Sequence, residues 1–220
     1  MKKYFIFCLL SVSISSITYG QIGKFEYGIQ SGININSANG NSIDKTHRKI
    51  TAGFAVGGHI RMKISDQVGL KLSVQYDQMG WSYRSLTFED NTGTTLGTGD
   101  AIFKLNYLNI PVVTELSFGK KIRYRTNGGI FFGYLLSNQT IIKIKEPAPP
   151  NIASTTSSSS EYRSTNFGLS FGIGMQIPVT HKLKLDLDMQ DNIGLVNIDK
   201  AGGDIKTNTI LISAGLSVPL

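Results

Sequence analysis

Apolar and polar residues alternate along eight stretches of the chain. Each stretch places large apolar side chains at every second position, the period of a β-strand whose two faces meet different surroundings. The predicted strands are residues 25–35, 50–64, 68–78, 103–116, 122–136, 166–177, 183–190 and 209–220. Each is near the length of a tilted strand that crosses a bilayer.

The connections between these stretches alternate in length. Short turns are expected at residues 65–67, 118–121 and 178–182, and long polar loops at 36–49, 79–102, 138–165 and 191–208. Four long loops and three short turns predict an even number of antiparallel strands, with both chain ends on the short-turn side. This pattern is typical of an all-β, eight-stranded antiparallel up-and-down transmembrane β-barrel with periplasmic turns and extracellular loops.

The two faces of the alternation differ in composition. The face opposite the large apolar residues carries isolated charges and many glycines: Gly28, Gly32, Gly53, Gly57, Gly69, Gly129, Gly133, Gly168, Gly172 and Gly174. Glycine is unfavourable on an open sheet surface, but it suits a narrow lumen where side chains crowd. We therefore expect the apolar face to contact lipid and the sheet to close on itself. A soluble sandwich or lipocalin-like barrel with apolar residues inside is the alternative.

Two irregularities interrupt the alternation. Pro111 lies inside a predicted strand, near a point where the apolar parity changes from odd at Phe103 and Tyr107 to even at Leu108. A β-bulge near this switch would account for both features, as would a strand whose upper part stands above the membrane. Trp81 also falls on the other parity, which predicts that its strand continues beyond the bilayer.

The N-terminus has the composition of a secretory signal peptide. A cationic start precedes an apolar core, and small residues precede Gln21. We therefore expect residues 1–20 to be removed and residues 21–220 to form the barrel domain. Cys8 is the only cysteine, so the mature chain would hold no disulfide.

The charge pattern limits the classes of partner. The formal net charge of +7 falls by two, to +5, once Lys2 and Lys3 leave with the signal peptide. Basic residues form no cluster of the kind that binds nucleic acid. We expect the chain to be a monomer in outer-membrane lipid, with no nucleic-acid partner and no cofactor, while an envelope protein partner stays open.

Several motifs resemble one family of envelope proteins. The motifs are "GIQSGININ", "YLNIPVVTELSFG", "NGGIFFGYLL", "FGLSFGIGMQI" and the ending "ILISAGLSVPL". Together with the signal peptide they resemble the outer-membrane β-barrel domain family widespread in Bacteroidetes, which includes PorT-like proteins. The resemblance implies location in the cell outer membrane and an eight-stranded OmpA- or OmpX-like barrel. It implies no activity, and the link of PorT to secretion does not follow from these motifs.

Charged residues on the polar face are expected to form an ionic network in the lumen. The inward-facing charges are expected to be Glu26, His59, Arg61, Lys63, Lys71, Asp77, Glu115, Arg123, Arg125, Lys184, Asp186 and Asp188. The predicted network consists of Glu26, Arg61, Lys71, Glu115, Arg123, Arg125 and Asp186. If Leu116 faces Ile122 across the short turn, Glu115 lies opposite Arg123, a favourable pair. The same reasoning places Arg61 opposite Lys71, so the carboxylate of Glu26, Glu115 or Asp186 is expected to reach between them. Since a barrel of about eight strands has a filled interior, this network would plug it.

The remaining candidate chemistry is sparse. The three histidines, His47, His59 and His181, have no carboxylate at a spacing typical of a catalytic site. His59 is expected to be a hydrogen-bonded interior residue. No cluster of His and Cys could hold zinc, so neither a catalytic site nor a metal site is predicted.

These observations leave three functional hypotheses. The favoured one is a small outer-membrane barrel with a plugged lumen and a structural or surface-interaction role for its long extracellular loops. The second is a narrow porin-like channel. The third is an accessory barrel of a secretion or envelope complex, as the PorT-like resemblance would allow.

Overall fold

The structure is a computed structural model that describes residues 24–41, 43, 46–89, 95–147, 152–156 and 161–220. The predicted signal peptide lies outside these residues. The strands are β1 (Lys24–Asn39), β2 (Arg48–Lys49), β3 (Thr51–Lys63), β4 (Val68–Glu89), β5 (Thr95–Phe118), β6 (Arg123–Pro147), β7 (Ile152–Thr156), β8 (Thr165–Pro178), β9 (Lys184–Gly194) and β10 (Lys206–Pro219). Within the described ranges, no helix is both long and apolar enough to cross a membrane.

Eight of the strands form a closed antiparallel ring. The order is β1–β3–β4–β5–β6–β8–β9–β10, and β10 pairs with β1 to complete it. The short strands β2 and β7 pair with β4 and β6 outside this ring. The predicted fold, an eight-stranded up-and-down barrel, is confirmed.

The pairing register fixes the tilt of the strands. The register can be followed round the ring by moving from each residue to its paired residue on the next strand. Starting at Glu26 on β1, this path reaches Arg61 on β3, continues round the ring and returns to β1 at Asn36. This stagger of ten residues, with a rise of ~3.3 Å per residue and ~4.8 Å between strands, corresponds to a tilt of about 40°. At this tilt, each residue along a strand rises ~2.5 Å along the barrel axis. Each step to the paired residue on the next strand of this path rises ~3 Å along the same axis.

Most apolar side chains of the wall face outward and most polar side chains face the lumen, as predicted, although Val113, Phe131 and Leu211 are buried inside. Ile29 is 70% exposed, whereas Glu26 on the other face of the same strand is 1% exposed. On β6 the outward-facing Tyr124 and Tyr134 are ten residues apart, which corresponds to a height of ~25 Å at this tilt. That is the height of the apolar band of outer-membrane barrels, which aromatic residues flank at both interfaces.

Strands β4, β5 and β6 extend well beyond this band. They contain 22, 24 and 25 residues, against 11 in β9. Their upper parts, residues 79–89, 95–106 and 137–147, form a sheet above the membrane, the projecting sheet, with β7 paired to one edge. The prediction that residues 79–102 and 138–165 are loops is therefore wrong for much of their length. Outside the bilayer the strands lose the strict alternation from which strands were predicted.

The parity change near Tyr107 arises from the projection and not from a bulge in β5. Leu105 and Tyr107 are buried inside the barrel, on the same face as Glu115. The register shift lies on the facing strand, β6. Asn106 pairs with Ser137 and the next residue, Tyr107, pairs with Leu135, so the pairing passes over Leu136. Of the two explanations offered by the sequence, the strand rising above the membrane is correct.

Candidate functional site

The inward-facing side chains form three layers from the periplasmic end outward. The ionic cluster consists of Glu26, Arg61, Lys63, Lys71, Glu115, Arg125, Lys184, Asp186 and Asp188. The amide layer above it consists of Gln30, Asn34, Asn36, Gln75, Asp77, Asn109, Asn166, Ser170, Gln190, Asn192, Thr207 and Thr209. The apolar cap consists of Ala38, Ile43, Met79, Trp81, Leu105, Tyr107, Tyr162 and Ile198.

Arg61 lies at the centre of the ionic cluster. Its Nε lies 2.5 Å from Glu115 Oε2, and its Nη1 lies 3.1 Å from Glu26 Oε2. Its Nη2 lies 3.9 Å from Asp186 Oδ1. The Arg61 side chain is only 4% exposed, so one guanidinium neutralises carboxylates from three strands in a space nearly closed to solvent. Charge-assisted hydrogen bonds of this kind are about twice as strong as neutral ones.

A second set of ion pairs crosses to β9. Arg125 Nη1 lies 2.7 Å from Asp186 Oδ1, and Arg125 Nη2 lies 2.9 Å from Asp188 Oδ1. The other oxygen of Asp188 lies 3.1 Å from Lys71 Nζ. The Arg61 and Arg125 sets meet at Asp186, so the cluster ties β3, β4, β6 and β9 together across the lumen.

The cluster also reaches the periplasmic opening. Lys63 Nζ lies 2.8 Å from Glu26 Oε1, and Lys184 pairs with the same oxygen. Gln176 donates from Nε2 to Glu26 Oε2 at 3.2 Å and to Asp186 Oδ1 at 3.1 Å. The space beside Arg61 and Gln176 measures only ≈ 10 Å³, which is at most the room that one water molecule needs.

Six of the seven residues predicted for the network lie in the ionic cluster. The exception is Arg123, which lies opposite Gln176 and donates from its guanidinium to the backbone oxygen of Asp66 in a periplasmic turn. The predicted pairing of Glu115 with Arg123 is wrong, because Glu115 lies opposite Asn127. Ile122 belongs to the turn and not to the strand, so the hairpin closes with Phe118 opposite Tyr124.

The predicted opposition of Arg61 and Lys71 is confirmed. Each cation has its own carboxylates: Arg61 contacts the three residues proposed for this task, whereas Lys71 contacts Asp188. The sequence placed Asp188 in the lumen but did not select it for the network. The selection depends on the stagger of the barrel, which brings distant strands to one level.

The amide layer surrounds a carboxyl group that has no cationic partner among the described residues. Asp77 is fully buried and accepts hydrogen bonds at Oδ2 from Gln75 at 2.9 Å and Asn109 at 2.8 Å. Asn34 donates to Oδ1 at 3.4 Å. Burying a carboxyl group without such partners would be costly. Sequence reasoning counted Asp77 among the inward charges and missed the three amides around it.

His59 lies between the ionic cluster and the amide layer. Its Nε2 is 3.8 Å from Asp186 Oδ2, and neither ring nitrogen has a hydrogen-bond partner among the described residues. The expectation of a hydrogen-bonded interior histidine is therefore wrong. Across the described ranges, no three side chains of His, Cys, Asp or Glu are arranged to hold a metal ion.

The apolar cap closes the extracellular mouth of the lumen. Trp81 stacks on Phe103 with ring centroids 5.1 Å apart, and Tyr162 meets the Trp81 ring edge-on at 5.9 Å. Ile43 and Ile198 reach the cap from the loops that follow β1 and β9. Burial, with smaller effects of Glu161 and Asp199, raises the pKa of Tyr162 above its ordinary value. The cap thus seals the barrel with apolar contacts where strands alone would leave it open.

A comparison with protein-family models gives one match over most of the chain. Residues 15–200 match the model described as the outer membrane protein beta-barrel domain. A comparison with curated proteins found no significant match.

Solved structures of small outer-membrane proteins are similar to this chain. A major outer membrane protein from Thermus thermophilus matches with a TM-score of 0.50 and 13% identity, covering 89% of this chain and 99% of that one. Neisserial surface protein A matches with 0.46 and 16%, covering 87% and 96%. The attachment invasion locus protein Ail of Yersinia pestis matches with 0.41 and 15%, covering 88% and 99%. At these identities the likeness concerns the fold alone.

Proposed function

Since the chain belongs to the outer membrane protein β-barrel domain family and lies in the outer membrane, we propose that it is a closed barrel that acts at the cell surface through its projecting sheet. The lumen would serve as a rigid interior that holds the wall together. The observation that carries this proposal is the continuous filling of the lumen by the ionic cluster, the amide layer and the apolar cap.

The filled lumen argues against a channel. An ion that crossed the barrel would have to separate Arg61 from Glu115 and Glu26, which are held at 2.5 and 3.1 Å. It would then have to pass the buried Trp81 in the apolar cap. Breaking buried ion pairs and opening a packed aromatic cluster both cost several kcal/mol, so thermal opening would be rare.

The projecting sheet supplies a surface that extends away from the cell. It rises roughly ten residues beyond Tyr134, or ~25 Å at the strand tilt. Its exposed side chains include Arg84, Thr87, Thr98 and Lys143. Among the described residues β7 pairs with β6 alone, so the other edge of β7 is available there for pairing with an extended partner segment.

Planar-bilayer recording of the purified, refolded protein tests the closed lumen. Insertion is checked first by the change of gel mobility on boiling. We expect no step-like currents from inserted protein at neutral pH. Regular current steps of uniform size would overturn the closed-barrel proposal in favour of a narrow channel.

Shortening the projecting sheet tests the surface role. Replacing residues 84–100 by a two-residue Asn-Gly turn keeps Tyr83 opposite Ala101, removes the tip of the β4–β5 hairpin and leaves the ionic cluster intact. Host cells displaying the intact protein are expected to aggregate or adhere to coated wells, and the shortened barrel is expected to lose this while still folding. Equal behaviour of the two proteins, with both barrels at the surface, would contradict a surface role for the sheet.

An accessory role is the alternative carried by the resemblance to PorT-like barrels of Bacteroidetes. It predicts that a specific envelope protein co-purifies with the barrel in mild detergent. Retention of that protein by the shortened barrel, together with unchanged adherence, would favour the accessory role over the proposed one.

A further inference from the structure

The membrane-facing wall carries an ionisable side chain near its middle. Asp191 on β9 faces outward, on the same face as Met189 and Ile193, and its neighbours across the strands are Phe171 on β8 and Ile210 on β10. Between the levels of Tyr124 and Tyr134, no other Asp, Glu, Lys or Arg of the described strands points outward. A carboxyl group in this belt is costly and requires an explanation.

The register places Asp191 deep in the bilayer. Through Phe171 it is aligned with Gly128 on β6, which is four residues above Tyr124 and six below Tyr134. Adding the climb of two strand steps puts Asp191 ~16 Å above Tyr124 and ~9 Å below Tyr134. The side chain of aspartate is too short to reach either interface from this depth.

The carboxyl group of Asp191 has no partner among the described residues of the barrel. Its Oδ1 is buried and makes no hydrogen bond with any of them. Neither β8 nor β10 presents a titratable side chain on the outward face beside it. An ionised carboxylate without a partner is strongly disfavoured in hydrocarbon, so the neutral acid is the form expected there. The neutral acid still needs one acceptor for its O–H and one donor for its carbonyl oxygen.

A shallow groove lies beside Asp191 on the outer surface. It measures ≈ 390 Å³ and is lined on its outward side by Thr126, Phe171, Ile173, Met189 and Ile210. The exposed Phe171 and Ile173 stand next to it as ridges. This surface therefore combines an unsatisfied hydrogen-bonding group with ridges and a hollow that another apolar wall could fill.

We propose that this face is a self-association surface, on which Asp191 of one barrel pairs with Asp191 of a second copy through a protonated carboxyl dimer. Two barrels in one membrane share orientation and depth, so a two-fold axis normal to the bilayer brings identical residues together at the same level. In the dimer the Asp191 side chain turns about its χ angles so that Oδ1 leaves the wall and both oxygens face the second copy; each carboxyl then donates to and accepts from the other, and no third group is required. A dimer thereby takes the place of the monomer expected from the sequence.

Disulfide trapping in lipid vesicles tests this surface with Asp191 left in place. The reporter is Met189→Cys, two residues from Asp191 on the same face, in a Cys8→Ser background. The matched control is Val74→Cys on β4, on the opposite side of the ring and within ~3 Å of the same depth. The two native side chains are similarly exposed, at 46% and 48%. Gel mobility before boiling confirms that each variant is folded.

The expected result is rapid cross-linking of Met189→Cys and background cross-linking of Val74→Cys. Adding Asp191→Asn should preserve cross-linking, because a carboxamide also donates and accepts. Adding Asp191→Leu should reduce it at least about fivefold, because both hydrogen bonds are lost. Raising the pH until the acid ionises should lower the cross-linking of the Asp191 protein relative to the Asp191→Asn variant at the same pH, a comparison that cancels the effect of pH on thiolate reactivity.

Three results would overturn the proposal, two of them in lipid vesicles. One is equal cross-linking at positions 189 and 74, which indicates random collision. The other is cross-linking at 189 that Asp191→Leu leaves unchanged. If, in native membranes, the 189 reporter joins a different protein and never itself, the acid serves a foreign partner and self-association is excluded.

Discussion

Replacing Arg61 with methionine removes the centre of the ionic cluster while keeping an unbranched side chain. The three carboxylates around Arg61 are affected unequally. Glu26 keeps Lys63 and Lys184, and Asp186 keeps Arg125. The structure shows only the bond to Arg61 for Glu115, whose other oxygen is buried without a partner among the described residues. The loss therefore falls mainly on Glu115.

The magnitude follows from that single orphaned carboxylate. Breaking a buried ion pair by removing one partner costs about 3–5 kcal/mol in folding free energy. Both side chains are nearly inaccessible, so solvent does not screen the loss. Combining Arg61→Met with Glu115→Leu removes the orphan and should recover part of the stability, with a coupling energy of about 2 kcal/mol between the two sites.

Urea unfolding in lipid vesicles measures these differences. Trp81 is the only tryptophan and lies in the apolar cap, so its fluorescence reports unfolding without direct contact with the substitution. Arg84→Met on the projecting sheet is the matched control, because Arg84 is exposed and should change stability by less than about 0.5 kcal/mol. A cost below about 1 kcal/mol for Arg61→Met, or no recovery in the double variant, would refute the reasoning.

Two further predictions concern the crowding of the lumen and the seal above it. Gly28→Ala should lower the fraction of barrels that migrate as folded before boiling, because a Cβ there would lie 2.7 Å from the His59 ring. The control, Gly58→Ala on the outward face, should fold normally. The pKa of Tyr162 is raised by burial in the folded state, so its contribution to stability is present below the unfolded pKa of about 10 and is lost as the pH rises beyond it. The free energy of unfolding, measured across this pH range together with titration of the phenolate absorbance, should show this loss of stability. Tyr162→Phe should remove the part of the loss that Tyr162 causes.

The sequence predicts the membrane-spanning wall well because the bilayer imposes a simple rule. Outward positions are mostly apolar and inward positions mostly polar or small, so the alternation marks each strand, although Phe131 faces inward and Asp191 faces outward. The rule ends at the interface. Trp81 and Leu105 are apolar and yet face inward, because above the membrane they serve a packed cap. There the apolar residues alternate on the inward face instead, which indicated the continuation of the strand at Trp81 but left most of the projecting sheet assigned to loops.

The contacts of the ionic cluster were harder to predict than its members. Parity alone assigns Glu115 and Asp188 to the lumen, but it does not say which cation each meets. That depends on where each turn closes and on the stagger of ten residues round the ring, and no local pattern encodes the stagger. The error at Arg123 came from a turn that closes with Phe118 opposite Tyr124.

The seam between β1 and β10 determines when the wall can be completed. Among the strands of the ring, β1 comes first along the chain and its second edge stays unpaired until β10, the last of them, is in place, since Tyr27 pairs with Val218. Until then the strands at both edges of the open sheet expose unpaired backbone N–H and C=O groups, which are strongly disfavoured in the hydrocarbon of the bilayer. Loss of β10 would therefore leave unpaired strand edges on β1 and β9 and would not give a smaller closed barrel. Such a fragment would be a substrate for quality-control proteases before it reached its membrane.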